Sequence, residues 1–244
     1  MSAITVIVNG ASGKMGSLAC QTIRNHPEFE LVAALGRHDN LAQIIDQTRA
    51  NVVVDLTRAD CVYKNALTII ERGAHPVIGT TGLSDEQIKF LQQQCNTLQL
   101  GGIIAPNFSI SAILMMHCAA MCARYHSEVE IIEMHHQQKL DSPSGTAIKT
   151  ADFIASSRAH PKNQLTDKAS IAGARGANYR DINIHSMRLP GVLAKQKVIF
   201  GGPGETLSIV HECIDRNAFM PGIVLACQGV IQLKALHYGL EVLI

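Results

Sequence analysis

No CxxC pair occurs among the seven cysteines of this chain, Cys20, Cys61, Cys95, Cys118, Cys122, Cys213 and Cys227. An odd, scattered set of this kind belongs to free thiols in a reducing compartment and excludes both a disulfide framework and finger-type zinc. Cys118 and Cys122 fall about one helical turn apart and read as packing residues. No basic run accompanies the net charge of +1, so neither nucleic acid nor a membrane surface is an expected partner. No apolar run approaches the roughly 18 residues of a membrane span. The N-terminus has no cationic segment leading through an apolar stretch to a small-residue cleavage site, so a cytoplasmic protein is expected. No Pro, Gly or Ser tract interrupts a composition of 47% hydrophobic and 17% charged residues, which is that of a folded chain. At roughly 150 residues per domain, 244 residues suggest two.

What is present begins with a strand, a glycine turn and a helix. Ile4 to Val8 is an apolar, β-branched run, the pattern of a strand covered on both faces. Gly10, Gly13 and Gly16 follow three residues apart, and Leu18, Ala19, Thr22 and Ile23 then recur at helical spacing. That order makes a phosphate cradle: glycines admit a pyrophosphate to the backbone, and the helix start supplies N–H groups and partial positive charge. The GxxGxxG spacing is a variant of the dinucleotide fingerprint. The next strand, ELVAAL, ends at Gly36-Arg37-His38, where an NAD site would usually carry an acid for the ribose. Arg37 offers a planar fork suited to a 2′-phosphate, so NADPH is the expected cofactor, with NADH as an alternative through Asp39.

Three further apolar runs, within residues 51–60, 74–83 and 101–110, each end in small polar residues. Helical patterns lie between them, one opened by Ser84 with Glu86 and Gln87 as a cap. Strand alternating with helix predicts an α/β fold with a parallel sheet and ligands at the carboxyl ends of its strands. Thr57, Gly79, Thr80, Thr81, Ala105, Pro106, Asn107 and Phe108 fall on that rim.

From Ser111 the pattern changes to a long apolar helix, followed by a strand through VEIIEMHHQQK. In a regular strand His135 points with Glu133 and Ile131, and His136 points the other way. For Lys139 to meet His135 the chain must turn, and for both imidazoles to share a pocket the strand must bend or end. Pro143 then precedes Ser144-Gly145-Thr146, which opens a helix and forms an anion site of carboxylate size. An anion clamp beside two or three proton-transfer groups suits the reduction of a carboxylated C=N or C=C substrate. With neither HxH nor HExxH present, no metal is expected.

The stretches NGASGKMG, VVVDLT, VIGTTG, APNFS, EMHHQQKLDSPSGTA and DRNAFMPG together resemble the 4-hydroxy-tetrahydrodipicolinate (dihydrodipicolinate) reductase family of lysine and diaminopimelate biosynthesis, over nearly the whole chain. The resemblance implies that Gly10, Ala11, Ser12, Gly13, Lys14, Met15, Arg37, Gly79 to Thr81 and Ala105 to Phe108 contact the nicotinamide cofactor. It implies that His135 is a proton donor or acceptor, that Lys139 is a second proton donor, and that His136, Gly145 and Thr146 hold a dicarboxylate substrate, with Ser144 at the same helix start. It also implies a Rossmann-like dinucleotide-binding domain over 1–108, rejoined by 217–244. An inserted α+β domain over 109–216 would bind substrate and build a homotetramer. The chain departs from the family pattern at Ala194-Lys195-Gln196, where members often show Gly-x-His.

Two other functions compete. A nucleotide-binding sensor would bind NADPH without turnover, which leaves the His-His-Lys cluster without a task. An aldehyde or hydroxyacid dehydrogenase would need a nucleophilic Cys or a Ser/Tyr-Lys arrangement, and no cysteine falls on the expected rim.

Overall fold

The opening apolar run forms β1 (Ile4–Asn9), in which Val6, Ile7 and Val8 have no exposed surface, as a strand covered on both faces must. The structure is a computed structural model that describes residues 3–159 and 170–244. After β1 the chain alternates through α1 (Lys14–Asn25), β2 (Phe29–Leu35), α2 (Leu41–Thr48), β3 (Val52–Asp55), α3 (Val62–Glu71), β4 (His75–Ile78), α4 (Asp85–Leu98) and β5 (Gly102–Ile104). All four residues of β3 are buried. The start of α4 carries a capping box: Ser84 accepts from the Gln87 amide, and the Gln87 side chain accepts from the Ser84 amide.

The second part of the chain runs through α5 (Ile110–Cys122), β6 (Glu128–His135), α6 (Gly145–Ser157), β7 (Ala177–Tyr179), β8 (Ile182–Arg188), β9 (Ala194–Gly202) and β10 (Glu205–Cys213). These strands form a mixed sheet in the order β10-β9-β6-β8-β7. Here β6 pairs antiparallel with β9 and parallel with β8. Alternate residues of β6 and β9 are buried, namely Val129, Ile131 and Glu133, and Gln196, Val198 and Phe200. Glu133 bonds to the start of α6 and Gln196 to Thr150 within it, so this is the face that α6 covers. The intervening residues, such as Glu130, Ile132 and Lys197, are half-exposed. The strand expected to run through Lys139 stops at His135, and the chain turns there, with the Lys139 amide donating to the His136 carbonyl. Cys118, expected to pack, is exposed, because Ala119 and Met115 hold the buried side of α5 and leave Cys118 facing away.

The chain ends with α7 (Met220–Gly229), which packs on α1, and β11 (Leu236–Tyr238), which pairs parallel with β5. The first sheet is then parallel throughout, in the order β11-β5-β4-β3-β1-β2. Its order reverses between β1 and β3, and a crevice at such a point is where doubly wound folds bind ligands. A Cβ on Gly222 of α7 would lie 1.9 Å from the Phe108 carbonyl oxygen, so glycine allows α7 to close against the end of the first segment. By contact the chain divides into two units, Met1–Ser109 with Phe219–Ile244, and Ile110–Ala218. Of the inserted domain expected over 109–216, residues 160–169 lie outside the described residues.

Candidate active site

In the first unit the glycine turn between β1 and α1 has the shape a pyrophosphate needs. Gly10 has φ 88°, and a Cβ there would sit 2.5 Å from the Leu56 carbonyl oxygen. A Cβ on Gly16 would lie 2.1 Å from the Gly10 carbonyl oxygen, so α1 approaches the turn at a distance only glycine permits. Gly13 is the N-cap of α1, and no side chain caps that end. First-turn amides of a helix have no intrahelical partner, and this end therefore fits an anion such as a dinucleotide phosphate. Ser12, Gly13 and Lys14 are exposed, with Ala11 and Met15 half-buried beside them. At the end of β2, Arg37 is exposed, while the Asp39 carboxylate folds back to accept the Gly36 amide at 2.7 Å.

The rim beside this turn is organised by a buried carboxylate. Asp55, at the end of β3, has no exposed surface. It accepts from Asn9 Nδ2 at 3.0 Å, Asn65 Nδ2 at 2.9 Å, Thr57 Oγ1 at 2.7 Å and Thr80 Oγ1 at 2.8 Å. One acid therefore ties together the ends of β1, β3 and β4 and the face of α3, and orients two of the rim threonines. Gly79 lets the Phe108 ring come close, since a Cβ there would be 2.6 Å from the ring.

In the second unit the expected residues collect around another buried acid. Glu133, on the covered face of β6, has no exposed surface. Its Oε2 accepts from His135 Nδ1 at 2.6 Å and from an Arg188 guanidinium nitrogen at 3.1 Å. Its Oε1 accepts from the other terminal nitrogen of Arg188 at 2.9 Å and from the Ser144 amide at 3.3 Å. Burial alone would raise the Glu133 carboxyl, but hydrogen bonds from His135, Arg188 and Ser186 outweigh it and bring it down to about 2. An ionised carboxylate only accepts, so the hydrogen of this contact is on His135 Nδ1.

Arg188 also donates to the carbonyl oxygens of Lys139 at 3.3 Å and Asp141 at 2.6 Å, which holds the turn between β6 and α6. Lys139 Nζ donates to both oxygens of Asp141 at 2.8 Å, and this bond holds the Asp141 carboxyl below its ordinary value. His136 Nδ1 is buried and meets no hydrogen-bond partner among the described residues. Ser144 caps α6 by accepting the Ala147 amide, so its hydroxyl oxygen is engaged within the helix start. Gly145 is exposed, and a Cβ there would meet nothing within 4 Å.

The cofactor residues expected from sequence thus all lie in the first unit, and His135, His136, Lys139, Ser144, Gly145 and Thr146 in the second. Sequence pattern alone does not mark Asp55, Asn9 or Asn65, nor Glu133 as an anchor. The one available signal for Glu133 was its position, an acid in the buried alternation of an apolar strand. Gln196, in the Ala194-Lys195-Gln196 stretch, is buried and donates to Thr150 Oγ1 at 2.7 Å. Among the described residues no group of three or more His, Cys, Asp or Glu is arranged to hold a metal ion. Among the described residues no helix is long and apolar enough to cross a membrane.

Two family models together cover nearly the whole chain. The family model for dihydrodipicolinate reductase, N-terminus, matches residues 4–108, and that for dihydrodipicolinate reductase, C-terminus, matches residues 111–244. The 4-hydroxy-tetrahydrodipicolinate reductase of Legionella pneumophila (strain Corby) is 64% identical over 236 residues, covering 97% of each chain. That of Coxiella burnetii (strain Dugway 5J108-111) is 52% identical over 240 residues, covering 98% of each. Among solved structures, dipicolinate-bound dihydrodipicolinate reductase from Paenisporosarcina sp. TG-14 superposes with a TM-score of 0.91. It is 40% identical, and the match covers 99% of this chain and 100% of that one. Matched from the glycine turn of the first unit through the Glu133 constellation of the second, the chain belongs to the dihydrodipicolinate reductase family.

Proposed function

We propose that the protein reduces 4-hydroxy-tetrahydrodipicolinate to tetrahydrodipicolinate in lysine and diaminopimelate biosynthesis, with NADPH as the preferred reductant. The observation that carries this reading is the constellation on Glu133, which joins an oriented imidazole, a lysine-bearing turn and a helix start by hydrogen bonds. Relatives 64% identical over nearly the full length carry the same enzyme name. A sensor without turnover would have no use for such a cluster.

The first unit is the cofactor domain. The turn Gly10 to Met15 and the rim residues Thr57, Gly79 to Thr81 and Ala105 to Phe108 would hold a pyridine dinucleotide, which supplies the hydride when bound. Arg37 favours NADPH, because its guanidinium is exposed at the end of β2 while the nearby acid, Asp39, is turned onto the Gly36 amide.

The second unit binds the substrate. Gly145 and Thr146 present the first-turn amides of α6 to a carboxylate, and half-buried His136 offers a further polar contact. His135 and Lys139 supply protons. To serve as donor, Lys139 exchanges its bond to Asp141 for one to substrate. Charge grows on the substrate as it is reduced, and cations held nearby in advance lower the barrier.

The family resemblance further suggests a homotetramer built through the second unit. The half-exposed face of its sheet supports this, and β10 adds exposed Val210, which lies opposite Lys197. A light-scattering mass of one protomer would exclude it. We assign the enzyme to the cytoplasm, where its free cysteines stay reduced.

The test is an assay coupled to dihydrodipicolinate synthase, followed by loss of dihydronicotinamide absorbance with each cofactor. Substrate-dependent oxidation, with the higher kcat/KM for NADPH, is expected. Oxidation of neither cofactor removes the reading, and preference for NADH removes the role given to Arg37.

A further inference from the structure

The two groups read as proton donors sit on different pieces of chain, His135 at the end of β6 and Lys139 in the turn after it. What relates them is an ion pair to which neither belongs. On one side the Glu133 carboxylate receives His135 Nδ1 and the Ser144 amide. On the other, the Arg188 guanidinium grips both Glu133 oxygens and donates to the Lys139 and Asp141 carbonyls. Imidazole, turn and helix start are thereby bonded to one rigid carboxylate–guanidinium unit. Glu133 is fully buried, and the Arg188 side chain is only 19% exposed. Buried ion pairs of this kind are often no more stabilising than apolar side chains of the same size. Fold stability alone therefore gives little reason for one here.

We propose that Glu133, clamped by Arg188, is the positioning residue for proton transfer: it keeps a hydrogen on His135 Nδ1, so that Nε2 alone exchanges a proton with substrate. The inference rests on the reading of His135 as a proton-transfer group. When Nε2 gives up its proton, the imidazolium becomes the neutral Nδ1–H form, and Glu133 stays an unprotonated carboxylate before and after. Arg188 meanwhile fixes the backbone from which Lys139 reaches. Neither Glu133 nor Arg188 needs to touch substrate.

The tautomer is measurable without turnover. In full-length protein labelled with 15N-histidine, the His135 signals are assigned by their loss in His135→Gln. The neutral ring is expected as Nδ1–H with Nε2 bare. A wild-type ring found as Nε2–H overturns the proposal whatever the variants do. Glu133→Gln presents an amide that can either donate or accept, so the ring becomes a mixture of tautomers. Its kcat should fall by at least about 10²-fold, the lower end of what general acid–base catalysis contributes, with KM for NADPH little changed.

Should Glu133→Gln fail to fold with Arg188 left unpaired, the double variant Glu133→Leu/Arg188→Met removes both charges and should show the same loss of kcat. Wild-type kcat in either folded variant overturns the proposal. Glu133→Gln combined with His135→Gln should be no slower than His135→Gln alone, because the two act as one unit. A clear further loss in the combination means that Glu133 acts by another route, and also overturns it. If His135→Gln alone keeps full activity, the reading of His135 fails and the proposal with it. If His135→Gln is impaired and Glu133→Gln is not, the positioning role alone fails.

Discussion

Replacing Glu133 by glutamine should open a gap in stability that narrows as the solution is acidified. In the folded protein the Glu133 carboxyl is held at about 2, against an ordinary value of 4.5. A folded value below the unfolded one stabilises the protein fully above about pH 4.5, and that contribution is lost as the pH falls toward about 2. At about 1.4 kcal/mol per unit the difference corresponds to about 3 kcal/mol, of which about 2 has gone by about pH 3. The glutamine variant has no such titration. It also leaves the Arg188 cation without its counter-ion, and breaking a buried pair costs about 3 to 5 kcal/mol at neutral pH. Other carboxylates titrate over the same range in both proteins and cancel in the comparison. The chain has no tryptophan, so urea unfolding is followed by far-ultraviolet circular dichroism. The variant should unfold at lower urea at pH 7, with the gap in free energy narrowing by about 2 kcal/mol by pH 3. A gap that stays constant over this range means that the carboxylate does not ionise against His135 and Arg188, and refutes the reasoning.

Gly16→Ala places a methyl 2.1 Å from the Gly10 carbonyl oxygen, so α1 must move away from the turn. It should cost about 1 to 3 kcal/mol in thermal unfolding and weaken NADPH binding in titration calorimetry; unchanged affinity would show that the turn does not hold the cofactor. Gly145→Ala meets nothing within 4 Å, so melting should hold or improve, by up to about 1 kcal/mol from helix propensity. Its KM for the dicarboxylate should nevertheless rise, since the methyl stands where a carboxylate approaches, and an unchanged KM places the anion elsewhere. Arg37→Ala removes a charged hydrogen bond worth about 1.5 to 3 kcal/mol, so KM for NADPH should rise about 10- to 100-fold while that for NADH moves much less. Equal changes for the two cofactors would show that Arg37 does not read the 2′-phosphate.

The parallel sheet was legible because its strands are covered on both faces. Burial there demands continuous apolar runs such as Ile4 to Val8 and Val52 to Val54, and those runs are visible one residue at a time. Ser84 with Gln87 was legible for a related reason, since a capping box is completed within four residues. Asp55 was not, because its partners Asn9 and Asn65 come from β1 and α3, and an acid at a strand end looks the same whether it is solvated or buried. A turn between His135 and Lys139 was legible as a requirement of bringing the two together, but the residue at which β6 ends was not, because His136 to Lys139 carry no Gly or Pro signal and the turn closes through the His136 carbonyl.

Local pattern was enough to bring out the residues on which the proposed chemistry rests: a glycine turn, two histidines, a lysine and a helix start, each written in consecutive residues. Which histidine nitrogen faces outward, and what holds the lysine turn, came from the meeting of Glu133 with Arg188, 55 positions apart along the chain. An ion pair of that kind has no trace in spacing or periodicity. It exists because β6 and β8 lie side by side in register, which sets Glu133 opposite Ser186 and His135 opposite Arg188, and because burial leaves the two charges no solvent to prefer over each other.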